Sequence, residues 1–119
     1  ADIVTVHCPL TEKTRDLIGI EELQRMKRTA LVINTARGGI VNEEALLAAL
    51  ESGEIAGAGL DTLTQEPPRE HPLLHRDDLN LIITPHCSWS ATEARQRLID
   101  EVAANIEAFT RGEERNIVN

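Results

Sequence analysis

Four short apolar runs, separated by stretches of helical or mixed character, constrain the fold of this chain more than any other feature. Ile3, Val4 and Val6 form the first, closed by His7, Cys8 and Pro9, where proline removes a backbone donor. Ala30 to Ala36 is the second, apolar up to Asn34, and it reads as a strand buried on both faces. Ile55 to Asp61 is the third, and its glycines and alanines predict that a helix packs closely on it. Leu79 to Thr84 is the fourth, closed by Pro85. Between them, Glu21 to Lys27 predicts a short helix, and Asn42 stands as the N-cap of a helix with a Leu46, Leu47, Leu50 stripe that Gly53 ends. The proline- and charge-rich stretch after Asp61 reads as a loop, with His71 and His75 as surface residues. Ala91 to Arg111 predicts a long helix with Leu98, Ile99, Val102, Ile106 and Phe109 on one side, ended by Gly112. Continuously apolar strands that alternate with helices require crossovers that carry the chain back each time, so the sheet is parallel. The expected class is α/β, a partial Rossmann-like doubly wound sheet.

At 119 residues, 41% of them apolar, the chain suffices for one modest core. Its 20 acidic and 12 basic residues give a net charge of −8, which repels phosphate backbones and anionic membranes. With one Trp, one Phe and no Tyr, stacking platforms for bases are lacking as well. No nucleic-acid partner and no membrane span are therefore expected. Two widely separated cysteines, Cys8 and Cys87, form no disulfide framework and fit a reducing, cytoplasmic setting. His7-Cys8 and His86-Cys87 could be imagined as a zinc set, but side chains of successive residues on an extended segment point to opposite faces, so no metal is expected.

In an open parallel sheet, ligands bind outside the carboxyl ends of the strands. The residues in those places are His7, Cys8 and Pro9, then Thr35, Ala36 and Arg37, then Asp61 and Glu66, and finally His86. That row contains a permanent cation, carboxylates and an imidazole. Arginine's planar fork holds a carboxylate through two parallel hydrogen bonds. Histidine exchanges protons near neutral pH, and a neighbouring carboxylate favours its charged form. Together they suit reduction of a 2-keto acid, with Arg37 holding the acid and polarising the carbonyl, His86 protonating the oxygen, and Glu66 orienting His86.

The segments Asn34-Thr-Ala-Arg-Gly-Gly-Ile-Val41, Gly57-Ala-Gly-Leu-Asp61 with Glu66-Pro-Pro68, and Thr84-Pro-His86 resemble the D-2-hydroxyacid dehydrogenases. The likeness extends to His7-Cys-Pro-Leu-Thr11 and Met26-Lys27. The resemblance implies Arg37, Glu66 and His86 as the catalytic set. It further implies contacts to NAD or NADP from Cys8, Pro9, Thr35, Ala36, Arg37, Asp61, His86 and Ser88, and a homodimer in the parent protein. Pro85-His-Cys-Ser-Trp-Ser90 followed by Glu93-Ala-Arg95 is most similar to the glycerate dehydrogenase and hydroxypyruvate reductase branch.

That family's cofactor domain normally opens with a strand, a G-x-G-x-x-G turn and a helix that hold the pyrophosphate. Gly57-Ala-Gly59 does not replace that turn, because its sixth position is Thr62 and its glycines lie within a strand. The chain is therefore expected to be the C-terminal portion of a dinucleotide-binding domain, residues 1–119, without the fingerprint strand and the substrate domain. In isolation it should have an exposed sheet edge and no activity. The alternatives are a dinucleotide-sensing protein like the transcriptional corepressors that share the Arg, Glu and His set, or a structural half-domain with no activity.

Overall fold

A computed structural model describes residues 1–118. It divides into two compact units, the first ending at Cys87 and the second starting at Ser88. The first unit holds β1 (Ile3–Val6), α1 (Ile20–Gln24), β2 (Leu31–Asn34), α2 (Glu43–Glu51), β3 (Gly57–Leu60), a single 3-10 turn (Pro72–His75) and β4 (Leu81–Ile83). The second holds α3 (Thr92–Thr110).

All three strand pairings are parallel and the order is β1-β2-β3-β4. The α/β class expected from the alternating pattern is the observed one. β1 coincides with its apolar run, whereas β2, β3 and β4 are each shorter than theirs. Ala30, although fully buried, precedes β2, and Leu79 precedes β4.

Two sequence expectations need correction. β2 is not equally buried on both faces: Val32 and Asn34 are buried while Leu31 and Ile33 are only partly covered. Nor does a helix press on the glycines of β3. A side chain at Gly57 would meet Asn80 and one at Gly59 would meet Ile33, so the crowding comes from β2 and from the residue that leads into β4. Neighbouring strands and helices both favour glycine by close approach, and sequence cannot tell them apart.

The core of the first unit lies where the helices meet the sheet. Leu23 of α1, Val32 of β2, Leu46 of α2 and the connecting Ile40 are completely buried. α2 begins as its sequence requires, since the Asn42 side chain accepts a hydrogen bond from the Ala45 amide at 2.8 Å. Asn42 Nδ2 also donates to Asp16 at 3.1 Å, tying the helix start to the segment before α1. Gly53, at φ +68, takes the left-handed conformation that lets the chain leave the helix. Beyond α2, Arg76 pairs with Glu51 and Asp78 and anchors the end of the 3-10 turn.

In the second unit, α3 carries Leu98, Ile99, Val102, Ile106 and Phe109, all at least half exposed. None of the described helices is long and apolar enough to cross a membrane.

Leu46 is 0% exposed and α2 has no other route to the core as deep. Leu46→Ala is expected to cost about 2 to 5 kcal/mol in a urea unfolding titration, from lost burial and the cavity left behind. Asn42→Ala should cost less, about 1 kcal/mol, through loss of the cap.

Candidate active site at the carboxyl edge of the sheet

The strand register aligns Val6 with Asn34, Asn34 with Leu60 and Leu60 with Ile83. Those four residues end their strands in a single row. The residues that follow, His7, Thr35, Asp61 and Thr84, therefore leave the sheet along one edge, as the strand-end reading expects.

The turn after β2 is shaped by Asn34, which is buried. Its Nδ2 donates to the Arg37 carbonyl at 2.8 Å and its Oδ1 accepts from the Ala36 amide at 3.1 Å. One amide side chain thus folds residues 34–37 into a tight turn and presents Arg37 at its tip. The Arg37 side chain is exposed, and Nη1 donates to the Ala36 carbonyl at 2.7 Å. Among the described residues Arg37 forms no ion pair. A hollow beside it is lined by Cys8, Pro9, Thr35 and Ala36, four of the residues to which family resemblance assigns cofactor contacts.

Gly38 follows immediately and its lack of a side chain is required. A Cβ there would stand 2.0 Å from the Leu63 carbonyl carbon and 2.4 Å from the Thr64 nitrogen. The Arg37 turn and the loop after β3 are thereby in backbone contact. Within that loop the Leu63 amide donates to Glu66 Oε1 at 2.9 Å, while Glu66 Oε2 faces His86 Nδ1 at 2.9 Å. One carboxylate is thus oriented by the backbone and in turn orients the imidazole.

Asp61 is buried at the end of β3 and organises the turn that carries His86. Its Oδ1 accepts from Thr84 Oγ1 and from the Cys87 amide, the latter at 2.8 Å. These bonds bracket His86, whose φ of +51 is in the left-handed region that few residues other than glycine occupy. The structure brings Glu66 and His86 together directly and joins Arg37 to them through Gly38. Ser88 lies in the second unit.

Sequence reading passed over several residues here. Thr84 reads as part of a Thr-Pro-His motif, with no sign that its hydroxyl holds Asp61. His71 is not the surface residue expected: its side chain is 13% exposed and Nε2 meets Glu43 Oε2 at 2.9 Å. Its partner lies 28 positions earlier in the chain, beyond any local pattern. His75 is exposed, as expected. Among the described residues, no three His, Cys, Asp or Glu side chains are grouped so as to hold a metal ion.

The Glu66 carboxyl is held below its ordinary value of 4.5, first by the Leu63 amide and then by His86, with partial burial and Asp61 opposing. A depressed folded-state pKa contributes stability that is present above 4.5 and is lost as pH falls through the lowered value. A carboxyl-carbon NMR titration should give a Glu66 midpoint below 4.5. His86→Ala should raise that midpoint only part of the way, because the larger influence, the Leu63 amide, remains. Gly38→Ala should raise it as well, by forcing Leu63 and Thr64 away.

The model of the family described as "D-isomer specific 2-hydroxyacid dehydrogenase, NAD binding domain" matches residues 1–88. A glycerate dehydrogenase of Methylorubrum extorquens is 51% identical over 119 residues, which are 99% of this chain and 38% of that protein. A hydroxypyruvate reductase of Blautia hydrogenotrophica is 40% identical over 120 residues, covering 100% of this chain and 37% of its own. The chain thus spans less than two fifths of the length of these relatives. Among solved structures, an NAD complex of a D-isomer specific 2-hydroxyacid dehydrogenase from Lactobacillus delbrueckii ssp. bulgaricus superposes with a TM-score of 0.85 at 36% identity, over 100% of this chain and 40% of that one. With the strand order, the aligned strand ends and the Glu66–His86 pair already in place, this chain belongs to the NAD-binding domain family of the D-isomer specific 2-hydroxyacid dehydrogenases.

Proposed function

We propose that the chain is the C-terminal portion of the cofactor domain of an NAD(P)-dependent dehydrogenase that interconverts a 2-keto acid, such as hydroxypyruvate or glyoxylate, with the D-2-hydroxy acid. The observation that carries this reading is a Glu66-oriented His86 on the same sheet edge as Arg37, a guanidinium without a carboxylate partner among the described residues. The names of the relatives, glycerate dehydrogenase and hydroxypyruvate reductase, support the substrate class.

In this reading Arg37 binds the substrate carboxylate and draws electron density from the adjacent carbonyl. Glu66 accepts from His86 Nδ1, and Nε2 delivers a proton to the carbonyl oxygen in reduction and takes it back in oxidation. The carboxylate stabilises the imidazolium while the proton is held. Cys8, Pro9, Thr35, Ala36 and Arg37 line the hollow in which the nicotinamide end fits, with Asp61, His86 and Ser88 completing the set that resemblance assigns. When bound there, the dinucleotide supplies the hydride that adds to the carbonyl carbon.

No G-x-G-x-x-G turn occurs in these 119 residues, so the pyrophosphate and adenosine contacts belong to sequence outside them. NAD and NADP are both compatible with the residues present. A homodimer of the parent protein and a cytoplasmic location complete the proposal, the latter fitting two free cysteines.

In the intact dehydrogenase, His86→Ala should lower kcat for hydroxypyruvate by about two to four orders of magnitude in a steady-state NADH or NADPH assay. Parental turnover by that variant would remove His86 from the chemistry. Arg37→Ala should both raise KM and lower kcat, since it holds substrate and transition state alike. The 119-residue chain alone should show no turnover.

A further inference from the structure

The loop that carries Glu66 has no helix or strand from Asp61 to His71, so its course must be fixed from outside. Glu43, the first residue of α2, grips it at both ends. Oε1 accepts from the Thr64 amide at 2.6 Å and from Thr64 Oγ1 at 2.9 Å. Oε2 meets His71 Nε2 at 2.9 Å, and His71 Nδ1 accepts from the Leu73 amide at 3.3 Å, which ties in the following 3-10 turn. The Glu43 and His71 side chains are only 14% and 13% exposed, so water competes weakly for the bond between them.

The grip is aimed at one place. Thr64 adjoins Leu63, whose amide holds Glu66 Oε1, and both residues abut Gly38 beside Arg37. A shift of Thr64 must therefore move the amide that aims Glu66 at His86. Helix N-termini favour any acidic residue, but that preference is met by Glu44 as well, which makes none of these bonds among the described residues. We propose that Glu43 is a positioning residue that, through Thr64, fixes the turn on which Glu66 is held against His86. It rests on the proposed function for the consequence in turnover, whereas the geometric claim about Glu66 stands apart from it.

The test compares Glu43→Ala, Glu43→Gln, Thr64→Val and Glu44→Ala in the intact dehydrogenase, each checked for folding by its thermal transition. Two quantities are measured: the Glu66 carboxyl titration midpoint and the steady-state constants with hydroxypyruvate. Glu43→Ala should raise the Glu66 midpoint toward 4.5 and lower kcat about tenfold to a hundredfold, with KM for the dinucleotide unchanged. Glu43→Gln keeps an oxygen acceptor for Thr64 and should restore most of both. Thr64→Val, which loses the hydroxyl bond and keeps the amide bond, should shift both in the same direction by less, and it decides the matter if Glu43→Ala does not fold. Glu44→Ala should match the parent.

A folded Glu43→Ala protein with parental midpoint and kcat would overturn the proposal, as would equal effects from Glu44→Ala. If the parent reduced no 2-keto acid, the proposed function would fail while the midpoint series still decided the role of Glu43.

Discussion

Parallel, in-register pairing of four short strands is the constraint on which everything else here depends. Because Val6, Asn34, Leu60 and Ile83 share one row, the segments that follow them start from a common line. No strand is longer than four residues, so each reaches the edge quickly and the candidate residues lie immediately beyond it. An antiparallel arrangement of the same strands would send alternate ends to opposite edges and separate the imidazole from its carboxylate.

Once the strand ends are aligned, a few polar side chains convert proximity into geometry. Asn34 shapes the Arg37 turn, Asp61 brackets His86, and Glu43 holds the loop of Glu66: all three accept from backbone amides, Asn34 also donates to a carbonyl, and the two carboxylates also accept from hydroxyls. Asn34 and Asp61 are buried and Glu43 nearly so, where a satisfied hydrogen bond counts for more and an unsatisfied one costs more. Gly38 contributes by what it lacks, since any side chain there would separate the turn that carries Arg37 from the loop that carries Glu66. The residues proposed to do chemistry are, by contrast, exposed: Glu66 and His86 are 36% and 41% accessible.

The left-handed φ of His86 belongs to the same pattern. A non-glycine residue held in that region is strained, and such strain persists where surrounding bonds over-determine the backbone. Here the surrounding bonds are those of Thr84 and Cys87 to Asp61. The strained residue is the one proposed to transfer the proton.

Sequence by itself determined the α/β class, the parallel sheet, the Asn42 cap and the candidates Arg37, Glu66 and His86, because each depends on local pattern or on chemistry placed at a strand end. It also carried the family likeness through contiguous motifs. Only the tertiary structure decided that β2 is buried unequally, that β2 and the residue leading into β4 crowd the glycines of β3, and that His71 is a half-buried partner of Glu43 instead of a surface residue. Those facts rest on contacts between residues more than 20 positions apart, such as Glu43 with His71 and Gly59 with Ile33. Local preference has no term for such contacts, since they exist only once the sheet has brought its loops to one edge.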